Sequence, residues 1–419
     1  MGKTCYYYIS MKNLYKKSMF LMYAILVFFV PILFTPFTQE AFEFPKITLI
    51  YVLGTLIFSL FLLFNKKLQF RHFNLVIPLL VIYIVSTLFS LDVYTSIWGY
   101  YSRFMGLIAF IFFVFLSYIS SEIFSKDDFY KLFTLSLFST FLVSLYGIFQ
   151  YSHVERIYST IGQPNWLAQY LLLSIPLIVY LYVSKKFSFS KPFYIILLIL
   201  YTSVFMSFWL SFSLSGFLGL FISLFFFPKG DTKRYMHLLL ISLVIIFTNF
   251  SFFSARVNDT YIDVKRFITE SFTVYAEDSY LISDPGFIRK EVWKGTINIF
   301  LASPKNMLFG IGPQTFPYVF PFYRNALLNY SSEWDYIINR PHNYYLELLV
   351  ELGIFGLLAY LYLISSVFKK SPDYLKPVFI GFFITNIFGW PVTSTSLVFW
   401  LLVGYINLKS LSKDSGGSS

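Results

Sequence analysis

Apolar runs of roughly twenty residues recur along most of this chain, and that is the length an α-helix needs to cross the hydrocarbon core of a bilayer. Read on that rule, twelve candidate helices lie near 18–34, 47–64, 73–90, 104–121, 130–150, 166–183, 192–210, 211–227, 236–253, 342–368, 376–390 and 395–408. The stretch 192–227 is nearly continuous across Ser211, and the last two runs are short. The composition agrees. Of the residues, 57% are hydrophobic and 13% charged, whereas a soluble domain carries about a quarter charged. A cytosolic globular enzyme, a disordered chain and a secreted disulfide scaffold are excluded, and a lone Cys5 permits no intramolecular disulfide. The fold class expected is an all-α integral membrane protein of about twelve transmembrane helices, with one large periplasmic loop domain between the ninth and tenth spans.

The net charge of +11 does not point to nucleic acid, because in a membrane chain the place of the basic residues decides their meaning. One alternate set of loops is the N-terminus, 65–72, 122–131, 184–191, 228–237, 369–376 and the C-terminus. It holds twenty Lys and Arg, against Lys46, Arg103 and Arg156 in the short loops of the opposite set. Both termini are therefore expected in the cytoplasm of a multi-pass membrane protein. The first apolar run follows lysines but precedes no small-residue cleavage site, so it reads as a retained span.

Four segments follow: 1–253 with nine spans, 254–341 as a periplasmic domain, 342–408 with three spans, and 409–419 as a cytoplasmic tail. The tail's Ser415-Gly-Gly-Ser-Ser reads as a flexible linker or a scar left by expression. The 254–341 segment carries nine basic and nine acidic residues, the composition of a water-facing cap. Within it, Gly286–Leu301 reads as an amphipathic helix, with Ile288, Val292 and Ile299 on one side and Arg289, Lys290 and Lys294 away from it. Pro304, Gly310, Gly312 and Pro313 then break the chain into turns. Trp334 and the aromatic run Phe316–Tyr323 suit a headgroup interface.

There is no P-loop, no G-x-S-x-G and no paired H-x-x-x-H, and the cytoplasmic loops are too short for a nucleotide-binding domain. Chemistry is expected at the outer face. The informative segment is Arg340-Pro-His-Asn-Tyr-Tyr-Leu-Glu-Leu-Leu-Val-Glu-Leu-Gly-Ile-Phe-Gly-Leu357. His342 and Asn343 are expected on the first turn of a span, with Glu347 and Glu351 deeper. A carboxylate inside a span is costly and faces a partner or a wet cavity. The blander reading is that His342 and Asn343 only cap the helix.

Three pieces resemble the O-antigen ligase/O-antigen polymerase superfamily, integral membrane glycosyltransferases of the GT-C type. One is His342-Asn343-x-x-Leu346 followed by Glu351-x-Gly353-x-x-Gly356. Another is Arg289-x-x-x-Trp293, then Pro304, Leu308-Phe-Gly-Ile-Gly312 and Phe316. The third is Gly162-Gln-Pro-Asn165-x-Leu-Ala168. The resemblance implies transfer of a glycan from undecaprenyl pyrophosphate to an acceptor hydroxyl at the periplasmic face, with inversion and with neither metal nor cofactor. A neutral His342 would take the acceptor's proton, and arginines would bind the pyrophosphate leaving group. Asn343, Glu347 and Glu351 would support them.

Many relatives carry an arginine in a Ser-Arg-Gly-like turn, and here Leu214 of Ser211-Phe-Ser-Leu-Ser-Gly216 occupies its place. Arg289 is then the first candidate for the pyrophosphate, Arg103 the first substitute for the missing arginine, and Arg156 and Lys294 follow. Arg324 and Arg340 are candidate acceptor or sugar contacts. The acceptor implied is a lipid A–core sugar for a ligase or a second lipid-linked glycan for a polymerase. A protein O-oligosaccharyltransferase would use Ser or Thr, and a polytopic transporter or flippase would leave the glycosidic bonds unchanged.

Overall fold

The computed structural model describes residues 2–64, 74–186, 189–248 and 285–414, with scattered positions between 250 and 265. The whole 65–72 loop, most of the 254–284 stretch and the Ser415–Ser419 tail lie outside the described residues. Those described form helices and turns without a β-strand.

Each of the twelve apolar segments coincides with a helix. They are α1 (Gly2–Ile32), α2 (Glu43–Phe64), α3 (Ile77–Leu88), α5 (Leu107–Ile123), α6 (Lys126–Gln150), α7 (Pro164–Val183), α8 (Lys191–Leu210), α9 (Leu214–Leu224), α10 (Thr232–Thr248), α14 (Tyr344–Lys370), α15 (Lys376–Thr385) and α16 (Thr393–Asp414). Six are long and apolar enough to cross a membrane: Asn13–Ile32 of α1, with α2, α6, α7, α8 and α14. The others fall short. At ~1.5 Å per residue, α3 with 12 residues and α9 with 11 reach well under the ~30 Å of the hydrocarbon core. Helix length thus gives six spans where hydropathy gave twelve. The apolar run 192–227 shows why. Phe212 takes a left-handed φ of 45°, which stops α8, and Ser213 restarts the chain by accepting from the Gly216 N–H at 3.2 Å.

Two apolar cores organise the membrane part. One gathers α1, α2, α3, α5, α14, α15 and α16 through residues such as Tyr23, Ile57, Phe113, Leu363 and Leu402. The other gathers α7, α8 and the 157–161 turn, with α10 alongside, through Leu167, Tyr170, Phe208 and Ile245. The helix α4 (Val93–Trp98), capped by Asp92, links α3 to α5 and carries the chain into the loop that bears Arg103.

The described part of the cap folds as α11 (Pro285–Leu301), α12 (Pro304–Phe309) and α13 (Phe316–Val319). Its core is Phe287, Ile288, Val292, Ile299, Phe316, Phe320 and Leu328, joined by Val350 of α14. The apolar side expected for α11 is therefore present. Its polar side is not as expected: Lys290 is buried rather than turned away.

The cap is fixed to α14 through the backbone. Gly353 breaks that helix at φ 71°, ψ −174°, a conformation that L residues avoid. A Cβ there would lie 2.2 Å from the Leu308 carbonyl oxygen. The break frees carbonyls that the cap then uses: Ile311 N–H donates to Val350 at 3.0 Å and Gly312 N–H to Glu351 at 3.0 Å. Two of the motifs singled out in the sequence are thus one joint in space.

Candidate functional site

His342 lies just outside α14. Asn343 is the N-cap, its side chain accepting from the N–H groups of Tyr345 and Leu346 at 3.0 and 3.1 Å. Placing both residues on the first helical turn was therefore wrong by one step. Asn343 is a capping residue, and His342 precedes the cap in a left-handed conformation with φ 55°. For a non-glycine residue that conformation costs about 1–3 kcal/mol and persists only where neighbours enforce it. On one side the Trp293 indole N–H of α11 donates to the Pro341 carbonyl at 2.8 Å. On the other, Tyr344 N–H donates to the Asn386 carbonyl at 2.9 Å. The cap and the end of α15 thereby hold the histidine from both sides.

Burial lowers the His342 imidazole, and the charges of Arg289, Arg103 and Arg340 lower it further, to about 4. The ring is consequently neutral near pH 7, and burial is the leading cause.

The three arginines differ in what holds them. Arg340 is buried. It pairs with Glu347 at 2.6 Å and donates to Gln314 Oε1 at 3.0 Å. Its guanidinium carbon lies 5.1 Å from the Trp390 ring centre. Arg103 lies over two indoles, 4.7 Å from the centre of Trp166 and 5.3 Å from that of Trp390. His342 meets the same Trp390 ring, centre to centre, at 5.3 Å. Burial, then the charge of Arg340, pushes Arg103 down to about 10, so it stays charged at neutral pH; Glu43, Glu40 and Glu347 act in the opposite direction. Among the described residues, Nε of Arg103 and Nε1 of Trp390 are buried without a hydrogen-bond partner. Stacked guanidinium groups of like charge, with a buried N–H left over, are suited to an anionic oxygen ligand. Arg289 of α11 contributes its charge to the same place.

The turn where Leu214 replaces an arginine is contacted by a different residue from the one favoured in the sequence. Arg156 donates from Nε to the Ser211 carbonyl at 3.0 Å and from Nη2 to Asn165 Oδ1 at 3.3 Å. Ser213 Oγ donates to the same Asn165 oxygen at 2.8 Å. Arg156 is thus the arginine hydrogen-bonded to that turn, and Arg103 stacks on Trp166 beside it.

The other candidates separate. Lys294 is half-exposed and pairs with Glu291 at 3.0 Å on its own helix. Glu347 holds Arg340 rather than the histidine. Glu351 faces the backbone N–H groups of Gln314 and Phe316, so it braces the cap. Arg324 donates to the carbonyls of Glu333 and Trp334 at 2.8 and 3.1 Å and shapes the loop. Below Arg340 and Glu347 lies a cavity of about 50 Å³ whose walls include Tyr83, Gln314, Tyr344, Tyr360 and Trp400.

Residues 192–361 match the family model described as O-antigen ligase. The match supports the O-antigen ligase/polymerase superfamily for this chain. It spans the 211–216 turn, the cap, Arg289, Arg340, His342 and the Gly353 break, and over that part the chain is similar to O-antigen ligases. Arg103, Arg156, Trp166 and Trp390 lie outside it. None of the curated proteins matches the chain.

Three site residues carried little or no weight in the sequence reading. Arg340 was a candidate acceptor or sugar contact only, and Trp166 and Trp390 were given no role. The available signal was position for two of them: Trp166 stands inside the Gly162–Ala168 motif and Arg340 two residues before His342.

Proposed function

We propose that the protein transfers a glycan from undecaprenyl pyrophosphate to an acceptor hydroxyl at the periplasmic face, with a lipid A–core sugar as acceptor. The observation that carries this reading is a neutral His342 held in a strained conformation among Arg289, Arg103 and Arg340. Such a site can take a proton and stabilise a growing negative charge at once. In the proposed step the acceptor oxygen attacks the anomeric carbon as its proton passes to His342. The bond to the pyrophosphate breaks on the opposite face, which inverts the centre. Arginine stays charged throughout and offers several N–H donors to the departing phosphate oxygens.

In this reading both termini are cytoplasmic, the cap is periplasmic, and the chain crosses twelve times, its shorter helices together with the turns that flank them. Reporter fusions at Lys186 and Lys370 are expected to read cytoplasmic, and one at Ser332 periplasmic.

The activity test uses purified protein with an undecaprenyl-pyrophosphate-linked glycan, with and without lipid A–core. Glycosylated lipid A–core, formed only when that acceptor is added, supports the ligase. Longer lipid-linked chains from donor alone would make the protein a polymerase. Unchanged glycosidic bonds in both arms, with donor moved across the bilayer, would make it a flippase and end this reading.

A further inference from the structure

Two buried charges at the start of α2 take no part in the chemistry above. Glu43 is 1% exposed and Lys46 0%. Their separation is 3.8 Å, longer than a hydrogen bond, and each bonds a different neighbour, with Glu43 Oε1 left buried without a hydrogen-bond partner. Glu43 Oε2 accepts from both the N–H and the hydroxyl of Thr393, each at 2.8 Å. Lys46 Nζ donates to the Thr160 carbonyl at 2.7 Å. Those partners are not arbitrary. Thr393 opens α16, three residues after Trp390. Thr160 ends the turn that leads through Gly162 into Trp166 and α7.

The same short segment also touches the Arg103 loop. Phe44 packs on Phe104 with ring centres 5.2 Å apart, and Tyr51 donates to the Phe104 carbonyl at 3.2 Å. Phe104 itself holds a φ of 55°. On the other side, the Phe42 ring lies so close to Gly162 that a Cβ there would approach it to 2.6 Å. One helix start therefore reaches the three loops that carry Trp166, Arg103 and Trp390.

A buried ion pair is weak evidence for stability, because desolvation offsets most of its attraction. What it supplies well is fixed geometry. We propose that Glu43 and Lys46 are positioning residues that hold Trp166 and Trp390, whose rings meet edge to face at 5.7 Å, in the arrangement that seats the Arg103 guanidinium against both. Glu43 fixes the Trp390 side through Thr393, and Lys46 fixes the Trp166 side through Thr160. Glu43 also lies among the charges that favour the cationic Arg103. The functional part of this inference rests on the transfer reading; the structural part does not.

Two measurements test it. Hydrogen exchange on the full-length protein in nanodiscs reads the clamp without any activity. Glu43→Ala is expected to speed exchange in peptides covering 390–396 and the Arg103 loop, and Lys46→Met in those covering 158–166, with α6 unchanged. Unaltered exchange in those segments would overturn the clamp. Kinetics then read its purpose. Glu43→Gln, which keeps the side-chain shape, is expected to raise the donor KM about tenfold, and to add little when Arg103 is already alanine, because residues acting through one another are not additive. Equal effects of Glu43→Gln in the two backgrounds would reduce Glu43 to a structural residue and overturn the proposal. If the wild type transfers nothing, the transfer reading fails, and hydrogen exchange alone decides whether the clamp exists.

Discussion

Arg103 and Arg156 sit on either side of the start of α7, and their surroundings differ in kind. Arg156 is engaged by the protein: the Ser211 carbonyl and the Asn165 side chain accept from it, and Ser213 shares Asn165. Arg103 has aromatic faces in place of oxygens, and its Nε is buried without a hydrogen-bond partner. An indole face attracts a cation by roughly 0.5–2 kcal/mol but cannot accept its N–H groups in the plane. The first arrangement shapes a turn. The second keeps a charged donor near His342, with donor capacity left for a ligand. The difference shows that an arginine's part in a site like this follows from what its N–H groups already meet rather than from closeness to a motif.

Substitutions can break that contrast, and the largest effect is expected at Arg103. Arg103→Ala removes the donor that the transfer reading assigns to the leaving group and should lower transfer by about 10²–10³-fold, the size seen when one stabilising donor is lost. Arg103→Lys should recover only part of it, because an ammonium lacks the planar fork. Arg340→Ala is expected to cut activity too, but together with folded yield. It strands the buried Glu347, and breaking such a pair costs about 3–5 kcal/mol; thermal unfolding in detergent separates that loss from catalysis. Arg156→Ala loses two hydrogen bonds that shape the turn rather than meet a ligand, and should reduce transfer by about tenfold or less. A larger loss there than at Arg103 would reverse the assignment. Lys294→Ala should change transfer little, since its half-exposed ammonium meets Glu291 on its own helix, but should lower stability because the Glu291 carboxylate is buried.

Much of the architecture was legible because apolar length is a direct physical signal. Every apolar run became a helix. Hydropathy gives more spans than helix length does because it sums residues and does not see where the backbone turns, as it does at Phe212. The joint between cap and membrane was legible only as two glycine-bearing motifs, since their pairing depends on the carbonyls that Gly353 releases. His342 was readable from its motif, and its neutrality from nearby arginines. Burial, the larger cause, belongs to tertiary structure. Trp166 and Trp390 were not readable as cation-stacking partners, because in a chain with 54 Phe and 34 Tyr an aromatic at a helix end resembles an interface anchor. Glu43 and Lys46 looked like loop charges for the same reason: sequence gives a charge its neighbours along the chain, not its neighbours across the bundle.

The central claim is that a neutral His342 accepts the proton of the attacking hydroxyl. The sign of its pH dependence follows from the lowered imidazole. Protonation removes the base, so transfer should hold as pH falls from 7 to about 5 and decline only on approaching about 4. An ordinary histidine would already be failing near 6.5. The most direct measurement is therefore the single-turnover rate of transfer from pH 4 to 8, for the wild type and for His342→Gln, with donor binding measured alongside. The account expects a wild-type rate flat down to about pH 5. It expects His342→Gln to be slower by about 10²–10⁴-fold, with donor affinity little changed and the acidic limb gone. A His342→Gln enzyme with near wild-type turnover, or a wild-type acidic limb that survives the substitution, would place the base elsewhere and contradict the account.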